Sequence, residues 1–302
     1  MTATITPPRE KRPTEKTRRR RYRPDEPTPP ARFLRQLLLI AIAVVMFYPL
    51  AWMVGASFRP DSQISDPGIL PSNFTLNGYE TGFQGVSGVS FWQFILNSFL
   101  VASLCVVANL IACSLTAYAF ARINFRLKKL WFAIMIGTLL LPHHVILIPQ
   151  YLLFRDLHWI NTYLPFVIPK LLGTDAFFVF LLVQFFRAIP RDLDEAARLD
   201  GCGHLRIFFK IMLPLAKPAL ATTAIFTFIY SWNDFFTPLI YLSDPHLYTL
   251  PLALRAFIDT TSGSAFGALF AMSVVSLLPV LGVFIAFQKL LVEGVATTGM
   301  KG

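Results

Sequence analysis

The feature that most limits what this chain can fold into is a series of apolar runs, most of them about twenty residues or longer. A run of that length crosses a hydrocarbon layer of about 30 Å as a helix. Six such spans are placed, at about 33–58, 93–120, 128–150, 164–187, 213–241 and 266–290. Hydrophobic residues make up 55% of the chain, and the mean hydropathy is +0.56, well outside ordinary soluble composition. The expected fold class is an all-α integral membrane protein with six transmembrane helices.

The basic residues set the orientation. Six spans leave both termini on one side, and positive charge marks the cytoplasmic side. Arg122, Arg126, Lys128 and Lys129 sit in the second-to-third connection. Arg187, Arg191, Arg198, Arg206, Lys210 and Lys217 sit in the fourth-to-fifth. Outside connections carry only Arg59, Arg155 and Arg255, with Lys170 near the start of the fourth span. Both termini are therefore expected in the cytoplasm. Much of the net charge of +10 lies at the N-terminus, where residues 1–32 form a Pro-, Arg- and Thr-rich stretch expected to be disordered. It leads straight into a span, so topology and anionic lipid explain the charge better than nucleic acid does. The first apolar run is too long for a signal-peptide core and reads as a retained anchor. Pro60, Pro67, Pro71 and several glycines make 59–91 an irregular outside loop.

The fourth-to-fifth connection, about 190–212, is a charged, helix-forming island between apolar runs. Pro190 cannot sit inside a helix, and Asp192 with Glu195 three residues on matches a capping box. Ala196 and Ala197 offer a small, flat face, and Gly201 supplies a break. A membrane protein holding such a helix on one surface docks it into a partner, or else rests it on the headgroups as a connector.

At this point the chain resembles a known family. Glu195-Ala196-Ala197, then Asp200-Gly201, then Ile211-x-Leu213-Pro214 are similar to the cytoplasmic coupling loop of permease subunits in binding-protein-dependent ABC importers. Pro71 to Leu76, Asn97-Ser98, Thr116 to Arg122, Ser231-Trp232-Asn233-Asp234-Phe235 and the terminal Lys301-Gly302 are similar to the carbohydrate-uptake branch and its MalG-like subunit. The likeness covers roughly residues 34–302. It implies a type I importer permease fold with a cytoplasmic coupling helix in a bacterial cytoplasmic membrane. It also implies a second homologous permease, two ATPase subunits that bind ATP and Mg, an external solute-binding protein and a carbohydrate substrate. In the family resembled, the tail from Val292 onward, which reads as small and flexible, reaches toward the ATPase dimer.

The chain carries no phosphate-cradling Gly-x-x-x-x-Gly-Lys-Ser/Thr, no His-Glu-x-x-His and no Gly-x-Ser-x-Gly. An enzyme is not expected, and any nucleotide belongs to another subunit. Cys105, Cys113 and Cys202 have no metal or redox spacing and read as small buried side chains. Polar residues inside spans face a cavity or glue helices together. Span five is the richest: Thr223, Thr227, Tyr230 and Asp234 recur at helical spacing, Asn233 lies beside them, and Tyr230 and Trp232 would stack on a sugar. Thr227, Tyr230, Asn233 and Asp234 are the candidate pathway residues, with helix–helix packing as the alternative. His143 and His144 tempt a proton-relay reading. Adjacent helical residues point about 100° apart, however, and no acid is near. An ion-coupled transporter, which Asp175 and Asp234 would have to serve, and a non-transporting anchor or sensor remain the rivals.

Overall fold

A computed structural model describes residues 29–259 and 265–299, and every named element among them is a helix. The chain divides at Leu50 into two compact units, each described by itself. Helix α1, Pro29–Ala56, makes up the described part of the first unit and ends in the second. Its side chains from 32 to 50 are exposed, Leu39, Val45 and Phe47 among them. So continuous an apolar surface is stable only under hydrocarbon or another protein. The basic tail expected at 1–32 lies outside the described residues up to residue 28.

In the second unit, α2 (Asn77–Gln84) precedes α3 (Phe91–Arg122), the axis of the fold. Its 32 residues span about 48 Å, more than the roughly 30 Å of hydrocarbon, so one end stands clear of the apolar layer. Helices α4 (Lys128–Thr138), α5 (His143–Asp156), α6 (Leu164–Leu171) and α7 (Ala176–Ala188) follow. Next come α8 (Asp192–Leu199), α9 (His204–Ile207), a wide π turn over Phe208–Met212 and α10 (Leu213–Leu215). The chain closes with α11 (Lys217–Trp232), α12 (Phe236–Tyr241), α13 (Leu250–Asp259) and α14 (Phe266–Gly299).

Helix α3 packs against α6, α7 and α11, and α14 packs against α2, α11 and α13. Small buried residues on α3, among them Ala102, Ala108, Ala112, Ala117 and Ala121, let its neighbours approach closely. Where α3 meets α11, Asn109 Nδ2 donates to Thr227 Oγ1 at 2.8 Å, both side chains fully out of solvent. A buried amide finds no water there, so this bond fixes the register of the two helices.

Among the described residues, four helical stretches are long and apolar enough to cross a bilayer: Arg32–Ala56, Phe91–Arg122, Leu164–Ala188 and Phe266–Gln288. A fifth arises if His204–Leu215 and Lys217–Trp232 are taken together, although their axes differ by 78°. Pro214 and Pro218 each remove a helical donor on either side of Ala216, where the axis turns. The helix expected to begin at 213 is therefore bent, its longer limb beginning at Lys217. It also stops early, at Trp232, and resumes at Phe236. The span expected at 128–150 is not continuous, because Pro142 separates α4 from α5. The tail expected to be flexible from Val292 is helical through Gly299.

At the end of the bundle away from α8, hydrogen bonds tie the loops down. Arg59, buried, donates Nη1 to Asp66 O at 2.5 Å and Nη2 to Gly68 O, with its guanidinium 5.9 Å from the Trp52 ring. Asn161 Oδ1 accepts from Ser243 N and Asp244 N at 3.0 Å each, and Asn97 Nδ2 donates to His246 O and Tyr248 O. Tyr163 Oη donates to Leu247 O at 3.1 Å. Burial, helped by Asp244, pushes this phenol up to about 12.

Candidate functional site

Helix α8 begins at Asp192, one residue earlier than a capping box with Asp192 as its cap requires. The residue before it, Arg191, has helical backbone angles and makes no side-chain cap. Asp192, Asp194 and Glu195 still crowd its first turn, where the helix dipole favours acids. The helix closes on Gly201, whose φ is +77°. Gly201 N donates to Arg198 O at 3.0 Å and Cys202 N to Ala197 O at 2.9 Å. This is the paired closure that a left-handed residue makes possible.

Two residues of α8 face inward. Ala197 joins the hydrophobic cluster of Phe186, Ile207, Phe208 and Met212. Asp194 meets Arg122, the last residue of α3. Arg122 Nε lies 3.3 Å from Asp194 Oδ2, with side-chain exposures of 2% and 10%. Arg122 Nη2 also donates to Ile189 O at 2.6 Å, just before α8. One guanidinium therefore holds the start of the connection and its first helix together. Nearby, Tyr118 Oη lies 3.3 Å from His204 Nδ1, which ties α9 to the same end of α3.

The outward face of α8 presents Leu193, Glu195, Ala196, Arg198 and Leu199, with Leu199 90% exposed. The expected flat Ala-Ala face is therefore split, Ala196 outside and Ala197 inside, because adjacent helical residues diverge by about 100°. Asp200 and Gly201 are exposed at its end, and Ile211 and Leu213 pack half-buried against the cluster while Pro214 is exposed. Beside the helix lies a pocket of about 300 Å³ lined by Arg122, Arg191, Asp194, Glu195, Arg198 and His204. Asp194 Oδ1, on its wall, has no hydrogen-bond partner among the described residues. The outer side of α8 thus combines charge, an exposed leucine and an open polar pocket.

The candidate pathway residues do not share one stripe. Thr227 is buried and bonded to Asn109, while Tyr230 is 62% exposed. Asn233 Nδ2 donates back to Ile229 O at 2.8 Å and closes α11. Asp234 Oδ1 accepts from Thr237 N at 3.1 Å and opens α12. Trp232 is buried, stacks on Phe228 at 5.6 Å and donates Nε1 to Ser276 O. Its ring is not free to meet a sugar. The side chains of His143 and His144 lie outside the described residues. Sequence reasoning missed Arg122 and Asp194 as partners. The only signal was an arginine closing a long apolar run and an acid inside a short charged helix.

Long apolar helices, several of them interrupted inside the apolar stretch, define a multi-pass membrane protein. The sequence comparisons make this specific. Residues 108–297 match the family described as binding-protein-dependent transport system inner membrane component, and the chain belongs to that family. It is thus a permease subunit of an ABC importer and not an enzyme. An arabinooligosaccharides transport system permease protein of Halalkalibacterium halodurans is 34% identical over 89% of this chain and 97% of its own length. A trehalose/maltose transport system permease protein, MalG, of Thermococcus litoralis is 29% identical over 89% of this chain and 98% of its own. Among solved structures, a bacterial ABC transporter involved in the import of the acidic polysaccharide alginate contains a chain with a TM-score of 0.76. That chain is 25% identical, and the match covers 87% of this chain and 98% of that one.

Proposed function

We propose that this chain is one of two permease subunits of an ATP-driven importer that carries a sugar or related polyol into a bacterial cell. Its six spans are the four long apolar stretches, the bent pair ending at Trp232, and α4 with α5 as one span broken at Pro142. Both termini and α8 lie in the cytoplasm. Glu195, Ala196, Leu199, Asp200 and Gly201 meet the cleft of a partner ATPase, while Ile211, Leu213 and Pro214 carry the movement back toward the spans. An ATPase pair supplies ATP and Mg, and an external solute-binding protein delivers the substrate.

The observation that carries this reading is the way α8 is held. Arg122 fixes it from within, and its outer face is left to a partner. When ATP closes the ATPase pair, the seated helix moves with it. ATP biases the spans only through contacts that differ between the two states. The sugar-type substrate is supported by the names of the relatives.

The test is uptake by proteoliposomes holding both permeases, the ATPases and the solute-binding protein. Arabinooligosaccharide, maltose and galactooligosaccharide are offered with ATP, with a non-hydrolysable analogue, or with a proton gradient alone. Uptake of at least one sugar with ATP only supports the reading. Uptake driven by the gradient without ATP refutes it.

A further inference from the structure

The turn between α3 and α4 gathers positive charge that no acid answers. Lys128 Nζ donates to Ile123 O at 2.8 Å, which folds the side chain back over the turn and leaves ammonium protons for a further acceptor. One helical turn along α4 from Lys128, the Phe132 ring carries the Arg187 guanidinium at 5.1 Å from its centre. Arg191 lines the same pocket as Ile123, and both arginines lie within electrostatic reach of Lys128. Among the described residues, no carboxylate pairs with Lys128, Arg187 or Arg191. Lys129 adds its charge to a first turn that holds no acid, at the helix end where the dipole disfavours cations.

Aromatic packing holds these charges together. Phe132 meets Phe120 of α3 at 5.4 Å and Phe180 of α7 at 6.4 Å, so three helices fix the cluster. Just beyond the charges the surface turns apolar. Leu127, Leu130, Trp131 and Ile134 are each about half exposed. Leu127 takes a φ of +62°, rare for a leucine, and keeps its side chain outside. Arg187 stands at the end of the apolar stretch Leu164–Ala188. The charges are therefore at the depth where hydrocarbon gives way to headgroups.

We propose that Lys128, Arg187 and Arg191 bind the phosphate of an anionic phospholipid whose chains lie on the exposed face of α4. This rests on the reading above that α4 enters the membrane at Lys128. Like charges held this close repel one another, and one phosphate relieves them all. A single phospholipid matches both halves of the surface, the cations with its head and Trp131 and Ile134 with its chains. An acidic protein surface would match only the first half. The alternative is that these charges only set topology.

The test uses the assembled importer in nanodiscs of phosphatidylcholine that contain a photoactivatable phosphatidylglycerol. After illumination and digestion, the lipid is expected on the peptide holding Trp131 and Ile134, well above the level that photoactivatable phosphatidylcholine gives. Equal labelling by the two lipids, or labelling confined to other peptides, overturns the site. A photo-crosslinker at Trp131 that captures the ATPase instead of lipid gives the cluster to a protein partner and also overturns it. In detergent, native mass spectrometry follows phosphatidylglycerol binding. Lys128→Gln and Arg187→Gln are each expected to weaken it about fivefold, while Lys128→Arg keeps it. Arg206→Gln with Lys210→Gln removes two exposed charges outside the cluster and is expected to change nothing. An equal loss from that pair makes the attraction diffuse and overturns the proposal. Excess inorganic phosphate is expected not to displace the lipid, and displacement makes this a site for a free anion. The span reading fails separately: Ile134→Cys then reacts with an impermeant thiol reagent in nanodiscs, above the wild-type baseline. The lipid titration still decides whether the cluster binds.

Discussion

Arg122 Nε stands 3.3 Å from Asp194 Oδ2, so the last residue of α3 grips the first turn of α8. The pair is nearly dry, and its worth lies in geometry more than in net stability. Desolvation offsets most of the attraction, yet removing one member strands the other.

The first prediction follows from that asymmetry. Asp194→Asn or Arg122→Gln should loosen the connection by about 3–5 kcal/mol locally. Hydrogen exchange should quicken at the amides of 192–199, while the amides of α3 stay protected. Unchanged exchange in α8 means that the pair does not hold it.

Gly201 gives a graded series. Its φ of +77° is strained for a side chain, yet no atom lies within 4 Å of where a Cβ would stand. Gly201→Ala should therefore cost about 1 kcal/mol, from backbone strain alone. Gly201→Asn should cost less, because asparagine tolerates that region. Gly201→Asp should insert and fold, yet uncouple ATP hydrolysis from transport if, as proposed, its charge meets the ATPase cleft. Substrate-stimulated ATP hydrolysis by the reconstituted importer ranks the three. Wild-type coupling in Gly201→Asp would make the loop a plain connector.

Much of this fold was legible because hydrocarbon is an undemanding reader. Length and apolarity alone locate α1, α3 and α14, and Gly201 announces its own turn. What could not be read was which way side chains point once helices break. Thr227 and Tyr230 sit three apart on one helix, yet the first bonds Asn109 and the second is exposed. Asn233 and Asp234 looked like the end of a helical stripe but cap two separate helices. The same limit hid Asp194 among three neighbouring acids, because only the approach of α3 shows which one turns inward.

The Asn109–Thr227 bond offers a test of how α3 and α11 are joined. A double-mutant cycle with Asn109→Ala and Thr227→Val should give a coupling of about 1 kcal/mol in thermal unfolding of the purified subunit complex. Strict additivity would show that small-residue packing alone aligns the helices.

Topology makes a separate claim. With single cysteines at Asn73 and Arg198, an impermeant thiol reagent on intact cells should label only the first. Arg198 should react after the membrane is opened. Labelling at 198 in sealed cells contradicts the proposed orientation.

The central claim is that the outer face of α8 is seated on an ATPase, and a photo-crosslinker tests it most directly. Placed at Leu199 in the assembled importer, it should join this chain to the ATPase, and ATP should change the yield. Placed at Ala197, which faces this chain's own core, it should give no intersubunit product. A crosslink from 197 but not 199, or an ATPase absent from the product at 199, contradicts the account.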